Sequence, residues 1–557
     1  MRRISALVLF FSISCTSAGE GIPPPLDAIY YPTGLALSSN TRLLYVVNSD
    51  FDLQYNAGTL QSLDLARVRA LMPRGCSADS DCPASKYCDT SEGPSDPKEH
   101  SFWCVDRSGS TADMPCGTLG ERSASDRMTT PGRCGAVDLS HPPDGGGSLI
   151  TDAVAIGAFA TDAVVRPSPD SDPTSDRIFI PVRGESSINW ADVSADGVFD
   201  CGQDNSKVCD KRHRTGRDAS DNSRGLVLPP EPFAIDATAD ASAILVTHQT
   251  QGAVSLLLND WQAGPHVEFV FSGLPLMPIA TKAVPQPALV TSGAYAMAPS
   301  FLVAYETTPR IDLFRYAPDA QSTPARPYLE LNASSSVTIN SGGYDVRGLA
   351  IDDSERRSCE QKIGTAHETC LATCDQSPSD ADRQQCTATC DTANLSQLRD
   401  CANIPLTTYA ASRSPASLLI GHTVPNSALT PNSETPYFND AISLVTGPSR
   451  IEIAHVINGN GQVETRVLIV CFDSRRIAIF DPVRRNVEAW VTTGRGPQAI
   501  IEDFAAPSDT DEGHALALVG HFTDSYLGVV ELDLRRGHSY GTMVLSLGNA
   551  TPPRTSK

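Results

Sequence analysis

Residues 32–65 decide the fold, because three strand-like segments follow one another there. They read PTGLAL (32–37), LLYVVN (43–48) and GTLQSLDL (58–65), with turn-forming residues between them. The second segment is continuously apolar and the third alternates polar with apolar residues, which is typical of a buried strand beside a half-buried one. The stretch therefore predicts a short antiparallel sheet.

The apolar strand and its alternating partner recur seven times along the chain. The pairs are 43–48 with 58–65, 177–183 with 187–192, 243–248 with 253–258, 301–306 with 311–314, 418–422 with 441–445, 467–472 with 477–480, and 516–521 with 527–532. Further short strands precede some pairs, at 32–37, 232–235, 348–351 and 497–501, and others follow, at 267–271 and 487–491. Four strands per unit predict an all-β fold, a seven-bladed β-propeller over residues 31–550. Six or eight blades, or a two-sheet sandwich, are the alternatives.

The order of these segments resembles the YVTN-type β-propeller repeat. The resemblance covers most of the chain outside three insertions, and it is closest in the first, sixth and seventh units. It implies a fold but no single activity.

Composition excludes one class of partner. The chain has 557 residues, with 43 Lys and Arg against 65 Asp and Glu, and a formal net charge of −22. Binding to nucleic acid depends on cations that contact phosphates, so we expect no nucleic-acid partner.

The N-terminus predicts export. Met1 and two arginines precede an apolar run, Ile4 to Ser14, which suits a signal peptide over residues 1–14 and is too short for a membrane span. Cys15 follows directly, and the segment resembles a bacterial lipoprotein signal, which implies lipidation of Cys15 and a tether over residues 15–30. Ser12 departs from that pattern, and ordinary cleavage after Ala18 is the alternative. We expect an extracytoplasmic protein at the outer membrane or cell surface, or otherwise periplasmic or secreted.

Cysteine spacing agrees with export. Of 16 cysteines, Cys15 and Cys471 stand apart, and the other fourteen form three even groups, which predicts locally closed disulfides. The groups are Cys76, Cys82, Cys88, Cys104, Cys116 and Cys134; Cys201 and Cys209; and Cys359, Cys370, Cys374, Cys386, Cys390 and Cys401. Cys471 lies in the apolar run 467–472, which predicts a buried, unreactive thiol.

The first group belongs to an insertion at residues 70–150 that is rich in Gly, Ser, Asp and Cys. Its little apolar periodicity predicts a module held by disulfides, and the run from Cys76 to Cys104 resembles small Dickkopf-like extracellular modules. Six cysteines allow fifteen connectivities, so none is assigned. Both a stapled surface loop and a recognition module fit.

The third group lies in an insertion at residues 354–412. Cys370 and Cys374, like Cys386 and Cys390, are spaced i, i+4, which places each pair on one helix face. A turn between the pairs predicts an antiparallel helical hairpin with the disulfides Cys374–Cys386, Cys370–Cys390 and Cys359–Cys401. The segment resembles the twin-CX3C hairpins of mitochondrial import chaperones, and zinc ligation is the alternative. The hairpin should separate the first strand of the fifth unit from the second.

A second insertion, at residues 193–229, contains a run that begins at Asp192, with oxygen ligands at alternating positions and a glycine at the sixth. Asp192, Ser194, Asp196 and Asp200 therefore form a candidate calcium loop, although Gln203 stands where a bidentate Glu is expected. An Asx-rich turn closed by Cys201 and Cys209 is the alternative.

Residues at the ends of the second strands could form a ring at the mouth of the channel. That position gives Asn48, Arg183, His248, Glu306, His422, Asp473 and His521. Imidazoles and carboxylates that converge could hold a divalent transition metal or a polar ligand. Polar strand ends that merely meet solvent are the alternative. The sequence contains no metalloprotease, nucleophile-elbow or phosphate-loop motif.

Three hypotheses follow. The first is a lipid-anchored, monomeric binding scaffold at the cell envelope, whose partner is an envelope protein, a glycan or a matrix component. The second is a metal-dependent propeller enzyme, of the lyase or lactonase type, that acts at His248, Glu306, His422 and His521. The third is a structural spacer. Calcium or a divalent transition metal is the only cofactor class that the residues indicate.

Overall fold

Six four-stranded antiparallel sheets and one of five strands account for most of the described strands in the computed structural model. The structure describes residues 21–72, 78–82, 86–89, 103–106, 136–143, 145–169, 175–287, 299–317, 326–336, 344–426, 433–508 and 511–550. Each sheet is one blade, and the chain completes a blade before it begins the next. The innermost strands of all seven blades line one central channel. The predicted seven-bladed propeller is therefore confirmed.

The first three blades cover residues 32–272. Blade 1 contains β1 (Pro32–Leu37), β2 (Leu43–Asn48), β3 (Gly58–Asp64) and β6 (Ile150–Ile156), with the small hairpin β4 (Lys86–Asp89) and β5 (Trp103–Asp106) inserted before β6. Blade 2 contains β7 (Val164–Pro167), β8 (Asp176–Val182), β9 (Ser187–Val193) and β10 (Phe199–Asp200), and β11 (Arg214–Thr215) also pairs with β9. Blade 3 contains β12 (Pro232–Ala237), β13 (Ile244–His248), β14 (Ala253–Asp260) and β15 (Gly264–Ser272).

The remaining four blades cover residues 278–547. Blade 4 contains β16 (Pro278–Ala283), β17 (Ser300–Tyr305), β18 (Arg310–Ala317) and β19 (Tyr328–Ser336); blade 5 contains β20 (Tyr344–Asp352), β21 (Leu406–Ser414), β22 (Ala416–Asn426) and β23 (Ser433–Ser443). Blade 6 contains β24 (Pro448–Ile457), β25 (Val463–Cys471), β26 (Arg476–Asp481) and β27 (Asn486–Thr492); blade 7 contains β28 (Pro497–Ala505), β29 (His514–His521), β30 (Tyr526–Glu531) and β31 (Met543–Leu547).

Blade 5 corrects one strand assignment made from the sequence. The segment 418–422 lies in the third strand, β22, and the second strand is β21, whose sequence LTTYAASRS lacks an aliphatic run. Because β22 is more apolar than β21, the sequence pattern identifies β22 as the second strand of the unit. The correction also ends the third insertion before Leu406, so part of the predicted insertion 354–412 belongs to the blade.

Apolar packing between neighbouring blades joins the ends of the ring. Leu44 and Val46 of blade 1 and Leu518 and Val529 of blade 7 belong to one buried cluster. Each fully buried Leu or Val contributes about 1.5–3 kcal/mol relative to an exposed one. Blades 1 and 7 thus close the disc through side chains, without exchange of a strand between them.

Short segments from the insertions cover the outer edges of two blades. The N–H of Val137 donates to Ser546 O at 2.9 Å, which places residues from the first insertion beside β31. In the same way, the N–H of Ala155 in β6 donates to Lys207 O at 2.7 Å. An uncovered edge strand can pair with another chain, so these contacts protect the disc.

The two long helices form the predicted hairpin between the first and second strands of blade 5. Besides the short α1 (Leu65–Ala70), the described helices are α2 (Ser354–Cys374) and α3 (Asp380–Ala402). The disulfides Cys359–Cys401, Cys370–Cys390 and Cys374–Cys386 join α2 to α3, as predicted from their spacing. Within the described residues, no helix has the length and apolar character of a membrane span.

The other predicted cysteine pairs stand as follows. Cys201 and Cys209 form the predicted disulfide, and Cys471 is a buried free thiol, also as predicted. Cys82 and Cys88 each take part in a disulfide. Cys15, Cys76, Cys116 and Cys134 lie outside the described residues, and the side chain of Cys104 is not described.

The first and third insertions emerge from the same face of the disc. The face where each first strand begins and each second strand ends is called here the upper face, and the opposite one the lower face. The first insertion follows the lower end of β3, and the hairpin follows the lower end of β20. Among the described residues, neither insertion starts from the upper face, where the mouth of the channel lies.

Candidate functional site

Three members of the predicted ring share one register position but face into their own blades. Asn48, His248 and His521 pair with the proline that begins the first strand of each blade, and all three are buried. Asn48 Nδ2 donates to Thr59 Oγ1 at 2.9 Å on the third strand. These residues fill the upper ends of the blades instead of the channel.

The two histidines of this set are held neutral by their surroundings. His248 Nε2 lies 2.8 Å from Ser255 Oγ, and burial lowers the pKa of His248 to about 4. His521 stacks on the ring of Tyr526 at 4.1 Å between centroids, and burial lowers its pKa to about 3. Both therefore belong to the packing of their blades.

Arg183, Glu306 and Asp473 lie after the ends of their second strands and pair with neighbouring blades. Arg183 lies 3.2 Å from Glu231, and Glu306 lies 3.0 Å from Arg347. Asp473 accepts a hydrogen bond from Arg413 of blade 5. These ion pairs join successive blades across the upper face, and each exposed pair contributes little, about 0–1 kcal/mol.

His422 lies apart from all of these residues. It is in the third strand of blade 5, opposite Thr407 at the lower end of the second strand. The structure therefore does not bring His248, His422 and His521 together, and the seven residues form no common ligand set.

The candidate calcium loop is a β-hairpin. Asp192 and Asp200 pair across β9 and β10, and Gly197 takes the left-handed conformation, φ 79°, that the turn requires. Arg177 binds the Asp192 carboxylate through two hydrogen bonds, Nε to Oδ1 at 2.7 Å and Nη2 to Oδ2 at 2.9 Å.

The other two residues of that loop belong to the turn. Ser194 Oγ accepts a hydrogen bond from the Val198 N–H at 3.1 Å, and Asp196 lies between them. The four oxygen-bearing residues are thus arranged by strand pairing, and Asp192 already has a cationic partner.

A backbone feature that the sequence did not reveal recurs on the upper face of every blade. A residue close to the start of each inner strand has a positive φ. It stands immediately before the strand at Tyr31, Glu231, Met277, Gly447 and Gly496, before the isolated bridge of Ala160 at Phe159, and second in the strand at Asp345. Five of the seven are not glycine, although other side chains rarely adopt this conformation. We call these seven positions the left-handed ring.

Hydrogen bonds fix the left-handed ring. The Phe159 carbonyl accepts from the Arg183 N–H at 3.0 Å, and the Met277 carbonyl accepts from the Glu306 N–H at 2.9 Å. The Met277 N–H in turn donates to Gln249 O of the preceding blade at 2.9 Å. Backbone strain that persists because neighbours over-determine it is frequent at binding surfaces.

The mouth of the channel holds a cavity of about 110 Å³ with an unusual lining. Three guanidinium groups, those of Arg347, Arg413 and Arg450, share it with the rings of Phe233 and Phe472. We call this cavity the mouth pocket. Guanidinium groups bind carboxylates with two parallel hydrogen bonds, and aromatic rings pack against apolar faces of ligands.

Below the mouth pocket, the channel widens to a lumen of about 320 Å³ that residues from all seven blades line. An ion pair separates the two spaces. Arg450 of blade 6 reaches Asp162 of blade 2, with both nitrogen–oxygen distances at 3.1 Å. Because blades 2 and 6 lie on opposite sides of the ring, this pair forms a crossbar over the lumen.

The lining of the lumen has more cationic than acidic side chains, although the chain carries a formal net charge of −22. Its lining includes Arg166, Lys282, Arg347 and Arg450 against Asp162, Asp236 and Glu452. Burial raises the pKa of Glu452 to about 7, with Lys282 opposing and Glu502 adding to the shift. Four cationic side chains of the lining therefore stand against three carboxylates of the lining, and Arg347 is paired in addition with Glu306 and Asp345.

Asp236 is ionised in spite of its burial. Burial favours its neutral form, but the charges of Lys282 and Arg166 together lower the pKa of Asp236. Lys282 Nζ lies 3.4 Å from Asp236 Oδ2, and Asp236 in turn raises the pKa of Lys282.

The charged lining has a sequence signal that was overlooked. When the inner strands are placed in register, Arg450 stands where β1 has Gly34, and Glu452 stands where it has Ala36. Charged residues in a strand position that is otherwise small or apolar indicate the channel lining. The ends of the second strands do not indicate this lining, because Asn48, His248 and His521 are buried there and Arg183, Glu306 and Asp473 are paired.

No family model and no curated protein matches the sequence. Solved structures do resemble the chain. The periplasmic gluconolactonase of Pseudomonas aeruginosa is 12% identical with a TM-score of 0.37, and 74% of this chain covers 91% of that one. A Lactobacillus plantarum protein is 10% identical with a TM-score of 0.38 at 85% and 89% coverage. The β-propeller domain of Cps50 (Swd1) from Myceliophteria thermophila is 10% identical, with a TM-score of 0.32 at 83% and 99% coverage. At these identities the likeness concerns the fold alone.

Proposed function

We propose that this chain is an extracytoplasmic binding protein that holds an acidic saccharide at the mouth of the channel. The observation that supports the proposal is the mouth pocket, which joins three guanidinium groups to two phenyl rings. The rings of Phe233 and Phe472 suit the apolar face of a sugar, and the guanidinium groups suit a carboxylate on it. A glycan that bears carboxylates is therefore the ligand class that we choose among envelope partners.

The guanidinium groups favour a ligand with a carboxylate over a neutral glycan. Each already has a carboxylate partner within the protein, Arg347 with Glu306, Arg413 with Asp473 and Arg450 with Asp162. A ligand carboxylate shares these cations with their protein partners. Binding should therefore weaken with salt, because screening acts on such contacts.

Titration calorimetry of the mature, oxidised chain with oligogalacturonate tests the proposal. We expect binding that Arg413→Gln weakens at least tenfold, and no binding of a neutral glucan of the same length. Arg212→Gln is the matched control, because the Arg212 side chain is 92% exposed and remote from the mouth pocket. Equal binding of the neutral glucan, or unchanged binding by Arg413→Gln, would contradict the proposal.

We also propose export and attachment by a lipid on Cys15. The charged start and apolar run of residues 1–14 support this proposal, together with disulfides that form in oxidising compartments. Metabolic labelling with palmitate in a bacterial host should mark the wild-type chain and leave Cys15→Ala unlabelled. An unlabelled wild-type chain that starts after Ala18 would show ordinary cleavage instead.

We do not propose the metal-dependent enzyme, because its histidines lie in three different blades and face no common space.

A further inference from the structure

The lumen below the crossbar offers an anion a second place to bind, separate from the mouth pocket. Its centre is Lys282, in the inner strand of blade 4, where the ammonium group has one ion-pair partner, Asp236 at 3.4 Å. About 42% of the Lys282 side chain faces the open lumen. An ammonium group has three donors, so it can hold a ligand and Asp236 together.

The surroundings of Lys282 favour a negatively charged ligand. Arg166 is occupied by Asp236 at 3.0 Å, which leaves the charge of Lys282 only partly balanced. Glu452 is the other carboxylate that acts on Lys282, and burial raises the pKa of Glu452 to about 7. The lumen can therefore become more positive by uptake of one proton, without any movement of the backbone.

The groups that face Glu452 determine how it responds. Lys282 stabilises the carboxylate form and Glu502 of blade 7 disfavours it, with Arg450 on its own strand as a weaker cation. Asp162, Asp236, Arg166 and Arg347 line the same lumen. A bound anion adds one more negative charge to this set and thus favours the protonated form of Glu452.

We propose that the lumen binds a small oxyanion, a carboxylate or a phosphate, against Lys282, and that Glu452 takes up a proton when it binds. The volume of about 320 Å³ and the crossbar restrict the ligand to a small molecule. This site is independent of the saccharide proposed for the mouth pocket.

The pH dependence has a definite sign. The ligand raises the proton affinity of Glu452, so binding is strongest where Glu452 is already protonated, at and below about pH 7. The affinity should fall by up to about tenfold for each pH unit above 7, until the raised pKa of the liganded state is passed.

Calorimetric titration of the mature chain with succinate and with inorganic phosphate tests the proposal. We expect binding of at least one, with proton uptake seen as a heat that differs between Tris and HEPES at pH 7.5. Lys282→Met should weaken binding at least tenfold, and Lys282→Arg, which keeps the cation, should retain it and show that the site still folds. No heat with either probe at millimolar concentration would overturn the proposal.

Two further variants separate this site from the mouth pocket. Glu452→Gln should bind with an affinity that no longer changes between pH 7 and 9, while Arg413→Gln should bind as the wild type does. A Glu452→Gln protein that keeps the full pH dependence would overturn the proton coupling. Loss of succinate or phosphate binding in Arg413→Gln would place these ligands in the mouth pocket and overturn the second site.

Discussion

The disc and the helical hairpin are ordered by different forces. In the disc, Leu44, Val46 and Leu518 are fully buried between blades. In the hairpin, the buried residues of α2 are Arg356 and Cys374, and those of α3 are Cys390 and Cys401. One region thus excludes apolar surface from water, whereas the other has almost none to exclude and is cross-linked instead.

The comparison shows how a chain can carry a projection without an apolar core. The three disulfides close segments with sequence separations of 42, 20 and 12 residues, and a disulfide typically stabilises by about 2–4 kcal/mol, mainly by restricting the unfolded chain. Arg356 attaches the base of the hairpin, since Nη1 donates to Pro285 O at 3.1 Å and Nη2 to Ile404 O at 3.0 Å.

The largest expected effect is the loss of the hairpin when its disulfides are removed. Replacement of its six cysteines by Ser should abolish the helices over residues 354–402, because isolated helices of this length need packing or cross-links. Hydrogen exchange should show full loss of protection in α2 and α3, with protection in β29 unchanged.

A matched control keeps the hairpin intact and opens the Cys201–Cys209 disulfide. Cys201→Ser with Cys209→Ser should leave α2 and α3 protected, while the loop stays in place through Phe199 in the core and the 2.9 Å contact of Lys207 with Asp152. Retained protection in the six-cysteine variant would show that the hairpin does not depend on its cross-links.

The next prediction concerns the apolar core of the disc, where a buried side chain is shortened. Leu518→Ala removes a fully buried side chain from the cluster that joins blades 1 and 7, and it should lower the free energy of unfolding by about 3 kcal/mol. Urea denaturation followed by near-ultraviolet circular dichroism measures this change, and hydrogen exchange in α2 and α3 should stay as in the wild type. Leu276→Ala is the control, because Leu276 is 59% exposed; a similar loss in both variants would argue against closure through this cluster.

The smallest expected effect is a pH dependence confined to the disc. His248 and His521 have pKa values of about 4 and about 3 in the fold, below the ordinary 6.5. Above pH 6.5 both histidines are neutral in the folded and in the unfolded chain, so they do not change the free energy of unfolding. Below pH 6.5 the unfolded chain binds protons at these histidines and the folded chain does not. Each histidine therefore lowers the free energy of unfolding by about 1.4 kcal/mol per pH unit.

The variant His521→Phe isolates this contribution, since a phenyl ring can keep the stack on Tyr526. Its free energy of unfolding should fall less steeply than that of the wild type between pH 6.5 and 5. Parallel pH profiles of the two proteins would show that His521 takes up its proton in the fold.

Local pattern made the blades and the hairpin predictable, and long-range geometry kept the site hidden. The strand 32–37 and the disulfides of α2 and α3 followed from spacing alone, since neighbours in sequence determine them. The mouth pocket depends on Arg347, Arg450 and Phe233, which come from three blades. Likewise, the sequence pattern assigns His422 to the second strand of blade 5, because β22 is more apolar than the actual second strand, β21. Apolar character alone therefore does not reveal the order of the strands.

The left-handed ring has a consequence for how the upper face can change. Its backbone holds Tyr31, Phe159, Glu231, Met277 and Asp345 in one conformation, although these side chains are aromatic, acidic or aliphatic. The frame thus tolerates chemically different residues around the mouth. Tyr31 is buried, but the other four positions are partly exposed. These four are suited to a combinatorial library, in which mutation can redirect ligand preference while the scaffold that displays the residues stays constant.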